Sequence, residues 1–123
     1  MKIKTCKLDG IQLDWAVADA IGQKPFVGGK GWYGVCVNVI IGDRRCTKAF
    51  APTIDAQLCD SVIETAKIGL TWSDSCKLWQ AEIIQAKCMK VALCAEDRRV
   101  AALRCFVLCK SGPAVDVPDQ LGA

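Results

Sequence analysis

The sequence of 123 residues contains no histidine. That removes the side chain most often used as a general base near neutral pH, and the commonest nitrogen ligand for zinc. No C-x-x-C pair occurs, so the usual zinc and redox spacings are missing as well. No apolar run approaches the roughly 20 residues needed to span a bilayer. The basic start, Lys2-Ile3-Lys4-Thr5-Cys6-Lys7, is not followed by the apolar stretch of a secretory signal. A phosphate-cradling loop is also lacking, because Gly28-Gly29-Lys30-Gly31 has no strand before it and no helix after it. Excess charge of one sign is small: 16 Lys and Arg against 13 Asp and Glu, a formal net charge of +3. The cations are dispersed over Lys2, Lys4 and Lys7, then Arg44, Arg45 and Lys48, then Arg98, Arg99 and Arg104, which argues against nucleic acid as a partner. These absences leave one domain over residues 1–123, with no membrane segment, no cofactor demanded by any motif, no internal repeat and an expected cytoplasmic location.

Cysteine, by contrast, is abundant. The nine are Cys6, Cys36, Cys46, Cys59, Cys76, Cys88, Cys94, Cys105 and Cys109. An odd number cannot all pair within one chain, and thiols stay reduced in a cytoplasm. The reading that fits best is cysteine as a small apolar side chain. Cys105 and Cys109 are spaced to share one helix face and to touch one metal ion, but no second pair completes a site. A thiol nucleophile remains an alternative, without the histidine that would activate it.

Periodicity assigns the elements. Lys2 to Lys7 alternates like a short edge strand. Asp9 is placed to cap a helix running from about Gly10 to Ile21, with Gly22 as its stop and Leu13, Val17, Ala20 and Ile21 as its buried stripe. Asp14 and Asp19 fall on its wetter sides. Gln23 to Gly31, with Pro25 and three glycines, reads as a loop. Trp32 to Ile41 reads as a strand, Gly42 to Arg45 as a turn and Cys46 to Phe50 as the returning strand. After Ala51-Pro52, Thr53 is placed to cap a helix from Ile54 to about Ala66. A meander follows: Ile68 to Ser73, a turn at Ser73-Asp74-Ser75, Leu78 to Ala86, and Cys88 to Ala95.

The last quarter carries the clearest pattern. Glu96 and Asp97 lie at the positive end of a helix dipole, and Gly112-Pro113 prevents continuation. Between them Val100, Leu103, Phe106 and Val107 form one stripe, while Ala101, Ala102, Cys105, Leu108 and Cys109 fill most of the rest. A helix this apolar is enclosed on most sides. Arg104 inside it must snorkel or find a carboxylate, with Asp14 and Glu64 as the options. The fold class that follows is α+β: an antiparallel sheet of about four to six strands packed by two or three helices.

Three blocks resemble the NinX-like family of small tailed-phage and prophage proteins. The first runs from Lys4-Thr5 to Gly22, where Leu13-Asp14-Trp15-Ala16-Val17-Ala18 is similar to that family's L-D-W-A-V-A. Phe50-Ala51-Pro52-Thr53-Ile54-Asp55, with Ile63-Glu64 beyond it, resembles an aromatic-S-P-S/T-x-D block followed by I-I-E. Ala101-Ala102-Leu103-Arg104-Cys105-Phe106-Val107, with Val115-Asp116-Val117-Pro118, is similar to A-A-M-R-C-Y/F-V and a closing V-D-V-P. The blocks keep their order and cover about half the chain. The family's W-A-Q-G-G-P after its aspartate is replaced here by Ala56-Gln57-Leu58-Cys59-Asp60-Ser61, so a pocket shaped by those residues is not carried over. The resemblance implies a phage or prophage origin, hence a host cytoplasm, and no particular reaction.

Two clusters are candidate ligand-binding residues. Phe50, Pro52, Thr53 and Asp55 sit at a helix start, where free N–H groups and the dipole suit an anion such as phosphate. The plainer reading is that Thr53 caps the helix and Asp55 complements its dipole. Asp14 and Trp15 together can hold an amine or stack a base, against the plainer reading of a solvated aspartate and a tryptophan covering the core edge. No pair of carboxylates at catalytic spacing is identifiable. The expected role is therefore non-enzymatic binding of a host protein or of a small anionic ligand. A small cysteine- or carboxylate-dependent enzyme is the alternative, and a structural or regulatory subunit of a homo-oligomer is another.

Overall fold

The computed structural model describes residues 2–31, 34–40, 47–84 and 90–121. Within them eight strands and three α-helices follow in the order β1 (Lys2–Lys4), α1 (Gly10–Ala20), β2 (Phe26–Gly31), β3 (Gly34–Ile40), β4 (Thr47–Ala49), α2 (Ala56–Ala66), β5 (Gly69–Ser73), β6 (Leu78–Ile84), β7 (Lys90–Ala95), α3 (Arg98–Ser111) and β8 (Ala114–Asp116). All strand pairs are antiparallel. The α+β class drawn from the sequence is the one observed, with the described strands shared among three small sheets: β1-β8, β2-β3-β4 and β5-β6-β7.

Helix α3 is the centre. Asp97 caps it, its carboxylate accepting from the Arg99 N–H at 2.8 Å and the Val100 N–H at 3.2 Å, and Gly112 ends it at φ +88°. Ala101, Ala102, Leu103, Cys105 and Val107 are fully buried and Phe106 nearly so. The sheet β5-β6-β7 covers one side of the helix, while α1 and α2 pack on others. Ala81 and Ile83 of β6 and Ala95 of β7 are the sheet's buried contribution. The β2-β3-β4 sheet in turn meets α1 through β3. Cys59 and Cys105 are fully buried within this core, where they act as packing volume; the Cys105 thiol points its weak donor at the Val91 carbonyl, 3.6 Å away.

Several local readings need correction. The opening strand stops at Lys4, and Thr5–Lys7 form a short 3-10 turn. The cause is Thr5, buried and anchored to the tail: its N–H donates to the Pro113 carbonyl at 2.8 Å and its hydroxyl to the Gly112 carbonyl at 2.6 Å. The extended tail after α3 thereby becomes β8, with Ile3 opposite Val115. The glycine-containing segment read as a loop forms β2, because pairing with β3 supplies hydrogen bonds that local propensity does not foresee. Helix α2 starts at Ala56 and not at Ile54, capped by Asp55, whose carboxylate accepts from the Leu58 N–H at 3.2 Å. Arg104 donates its Nε–H to the Leu8 carbonyl at 2.6 Å, taking a backbone partner where a carboxylate was expected. Trp32, Tyr33, the turn at Gly42 to Arg45, Cys46 and the expected strand ends at Ala86 and Cys88 lie outside the described residues. Among the described residues no helix is long and apolar enough to cross a membrane.

Leu103 touches no solvent, so its truncation leaves a cavity that the enclosing sheet and helices cannot close. Leu103→Ala is expected to cost about 3 kcal/mol. A thermal melt should record a drop in Tm on the order of 10 °C. A loss under about 1 kcal/mol would place Leu103 outside a packed core.

Candidate functional site

Asp14 stands one turn into α1 and is only 5% exposed. The sequence reading leaves it in water; the structure gives it two donors from 39 residues away. The Thr53 N–H donates to Oδ1 at 2.9 Å and the Thr53 hydroxyl to Oδ2 at 3.0 Å. This clamp ties the middle of α1 to the loop between β4 and α2. Thr53 is therefore an anchor for Asp14, and the capping of α2 falls to Asp55. Burial pushes the Asp14 carboxyl up to about 6, against the opposing pull of the two Thr53 hydrogen bonds, which favour the charged form.

Around the clamp the remaining candidates divide. Phe50 and Pro52 are buried, and the Phe50 N–H extends the β3-β4 ladder by donating to the Val37 carbonyl at 2.8 Å. Asp55 is exposed. Trp15 is half-buried, packing on the core and also lining an open cleft of about 420 Å³ with Asp116, Val117, Pro118 and Asp119. Three blocks that are far apart in sequence thus meet along α1: Asp14 meets Thr53, Trp15 meets Asp116 to Pro118, and Gln12 Nε2 donates to the Leu121 carbonyl at 3.2 Å. Phe50, Pro52, Thr53 and Asp14 come together, and Trp15 looks toward the tail, one side chain further along the helix.

The larger concavity lies elsewhere. A groove of about 720 Å³ is bounded by the C-terminal ends of α1 and α3, by the face of α2 from Leu58 to Ala66 and by the end of β6. Its wall includes Leu58, Val62, Ile83 and Phe106, with Ile21 and Ile84 at the rim. Ile84 is 72% exposed and Ile21 41% exposed, unusual for large aliphatic side chains. Lys110 is the one charged side chain among the lining residues. The sequence reading missed this site. Its one available signal was the alternation in β6: with Ala81 and Ile83 facing the core, Ile84 must face away, so an isoleucine there needs an explanation.

Two of the thiols, Cys59 and Cys105, are buried. Burial first, and the neighbouring Cys109 next, push the Cys105 thiol up to about 11. Burial and the nearby Asp60 carboxylate raise Cys59 as well. Both are held in the unreactive protonated form at neutral pH. Among the described residues no group of three or more His, Cys, Asp or Glu side chains is placed to hold a metal ion.

Asp14 generates a definite pH dependence. Its carboxyl titrates higher in the folded chain than the ordinary 3.8, so the folded state holds the proton more tightly than the unfolded state. Its contribution to stability is greatest below about pH 4 and is lost as pH rises through about 6, a difference of about 3 kcal/mol. Asp14→Asn keeps an acceptor for the Thr53 N–H and offers the hydroxyl a donor, so it should fold and should lack this slope. Urea midpoints for both proteins between pH 4 and pH 7 check it; parallel profiles would contradict the assignment.

The family of phage proteins described as Bacteriophage P22, NinX matches residues 4–110 of the chain, nearly its whole length. No curated protein matches it.

Proposed function

Since the chain belongs to the phage NinX family, we propose that this phage accessory protein works by binding, without catalysis, and that its partner is a host protein seated in the groove between α1, α2 and α3. The observation that carries this reading is the exposed aliphatic rim of that groove, Ile21 and Ile84 above Leu58, Val62 and Phe106. Exposed apolar side chains clustered around a concavity are costly in water and typical of docking surfaces. A wall of aliphatic and aromatic residues with a single cation suits an amphipathic segment whose apolar side chains fill the groove.

The small anion of the alternative reading has less support. At the start of α2 the Leu58 N–H is already taken by Asp55 and the Thr53 N–H by Asp14. An anion placed there would meet two carboxylates in addition to the remaining N–H groups. The enzymatic reading is disfavoured for the buried thiols by their raised pKa values.

Ile84→Glu and Ile21→Glu place charge on the rim without touching the buried core. Used as bait in lysate of the host, the wild-type chain should retain a host protein in stoichiometric amount that the double variant loses, with unchanged circular dichroism and Tm. Equal retention by both would reject the groove as the binding surface. A nucleotide or other small phosphate that raised Tm equally in both would favour the anion reading instead.

A further inference from the structure

Every described edge strand but one includes a charged residue in its sequence. Among the described edge strands, β1 contains Lys2 and Lys4, β2 contains Lys30, β4 contains Lys48, β7 contains Lys90 and β8 contains Asp116. Charged residues on an edge strand, lysine above all, oppose the addition of a further strand. Strand β5, Gly69-Leu70-Thr71-Trp72-Ser73, has no charged residue and no proline, and it lies at the edge of the β5-β6-β7 sheet. Among the described residues no second strand or helix runs along its outer side. Trp72 on this strand is 42% exposed.

We propose that the β5 edge pairs with the β5 edge of a second copy of this chain, antiparallel about a two-fold axis at Thr71, joining two three-stranded sheets into one of six strands. The register follows from the faces. Leu70 and Trp72 lie opposite Ala81 and Trp79 of β6, on the face that packs on α3, whereas Gly69, Thr71 and Ser73 lie on the other face. An antiparallel partner must match face to face, and a slip of one residue would turn every side chain over. Centring the pair on Thr71 satisfies this with full overlap. Leu70 then faces Trp72 of the second copy and Trp72 faces its Leu70, an aromatic–aliphatic pair made twice. Thr71 faces Thr71, and Gly69 faces Ser73. The tryptophan contact continues the edge-on packing of Trp72 against Trp79, whose ring centroids are 5.4 Å apart at 60°.

The charges flanking the strand agree with this orientation. Lys67 precedes β5 and Asp74 follows it, both exposed, and Asp74 Oδ1 accepts from Trp72 Nε1 at 3.0 Å. Antiparallel docking brings Lys67 of each copy toward Asp74 of the other, with Lys77 further round the same turn. Parallel docking would set lysine by lysine. A two-fold contact of this kind is isologous and closes at two copies. None of the β5 residues lines the groove between α1, α2 and α3, so the pair would present two grooves.

Sedimentation of the full chain under reducing conditions, over a wide concentration series, tests the pairing. The wild type is expected to sediment at twice its 13.3 kDa. Thr71→Lys sets two lysines across the axis and should weaken association about tenfold or more, with unchanged circular dichroism. Thr71→Cys should form a disulfide between two copies on mild oxidation, because directly opposed residues lie within bridging distance. Mass spectrometry would identify that bridge apart from any made by exposed Cys6, Cys76 or Cys94. A wild type that stays at 13.3 kDa, a Thr71→Lys variant that remains dimeric, or the absence of a bridge at position 71 would overturn the proposal.

Discussion

Burial of α3 between a sheet and two helices is the interaction on which the other elements depend. Six of its fourteen residues are buried, and five of these have no exposed surface. Enclosing a helix on several sides demands small side chains where neighbours approach closely, which is why alanine and cysteine alternate with leucine, phenylalanine and valine along it. Cysteine meets this demand because it is small and weakly polar. Its raised thiol pKa values at Cys59 and Cys105 are consequences of the same packing. The N-terminal segment is fastened to this helix as well: Thr5 donates to the Gly112 and Pro113 carbonyls at its end, and Arg104 within it donates to the Leu8 carbonyl.

From that frame the position of α1 follows, and from α1 the clamp. Because α1 packs on α3 and also on β3, it has more than one dry face, and Asp14 is buried where the loop before α2 meets it. A carboxylate there must find donors or remain protonated. Thr53 supplies two, and so the loop before α2 is drawn onto α1. Where the ends of α1 and α3 meet the side of α2, no further described element covers their apolar stripes, and the groove is what remains.

Short-range features were legible in the sequence. Asp97, Gly112 and Asp9 behave as their types and spacing indicate, because capping is decided within one helical turn. The apolar density of α3 announced its enclosure for the same reason. What escaped the sequence depends on distant partners. Asp14 looks wet on a helical wheel drawn with a single stripe; only Thr53, 39 residues on, makes it dry. Glycines in β2 argue for a loop until β3 is laid beside them. Thr53, ahead of a helix, has the chemistry of a cap, but Asp55 occupies the geometrically correct position and frees the threonine for another helix. The alternation in β6 separates Ile84 from Ala81 and Ile83, but only packing on α3 decides which of the two faces is buried.

Native-state hydrogen exchange resolved by residue reads whether α3 is the enclosed rod around which the chain is organised. The slowest amides are expected between Ala101 and Leu108, opening only with global unfolding, with β6 close behind and β1, β8 and the α2 surface much faster. Exchange of those α3 amides at the rate of β1 and β8 would contradict the account.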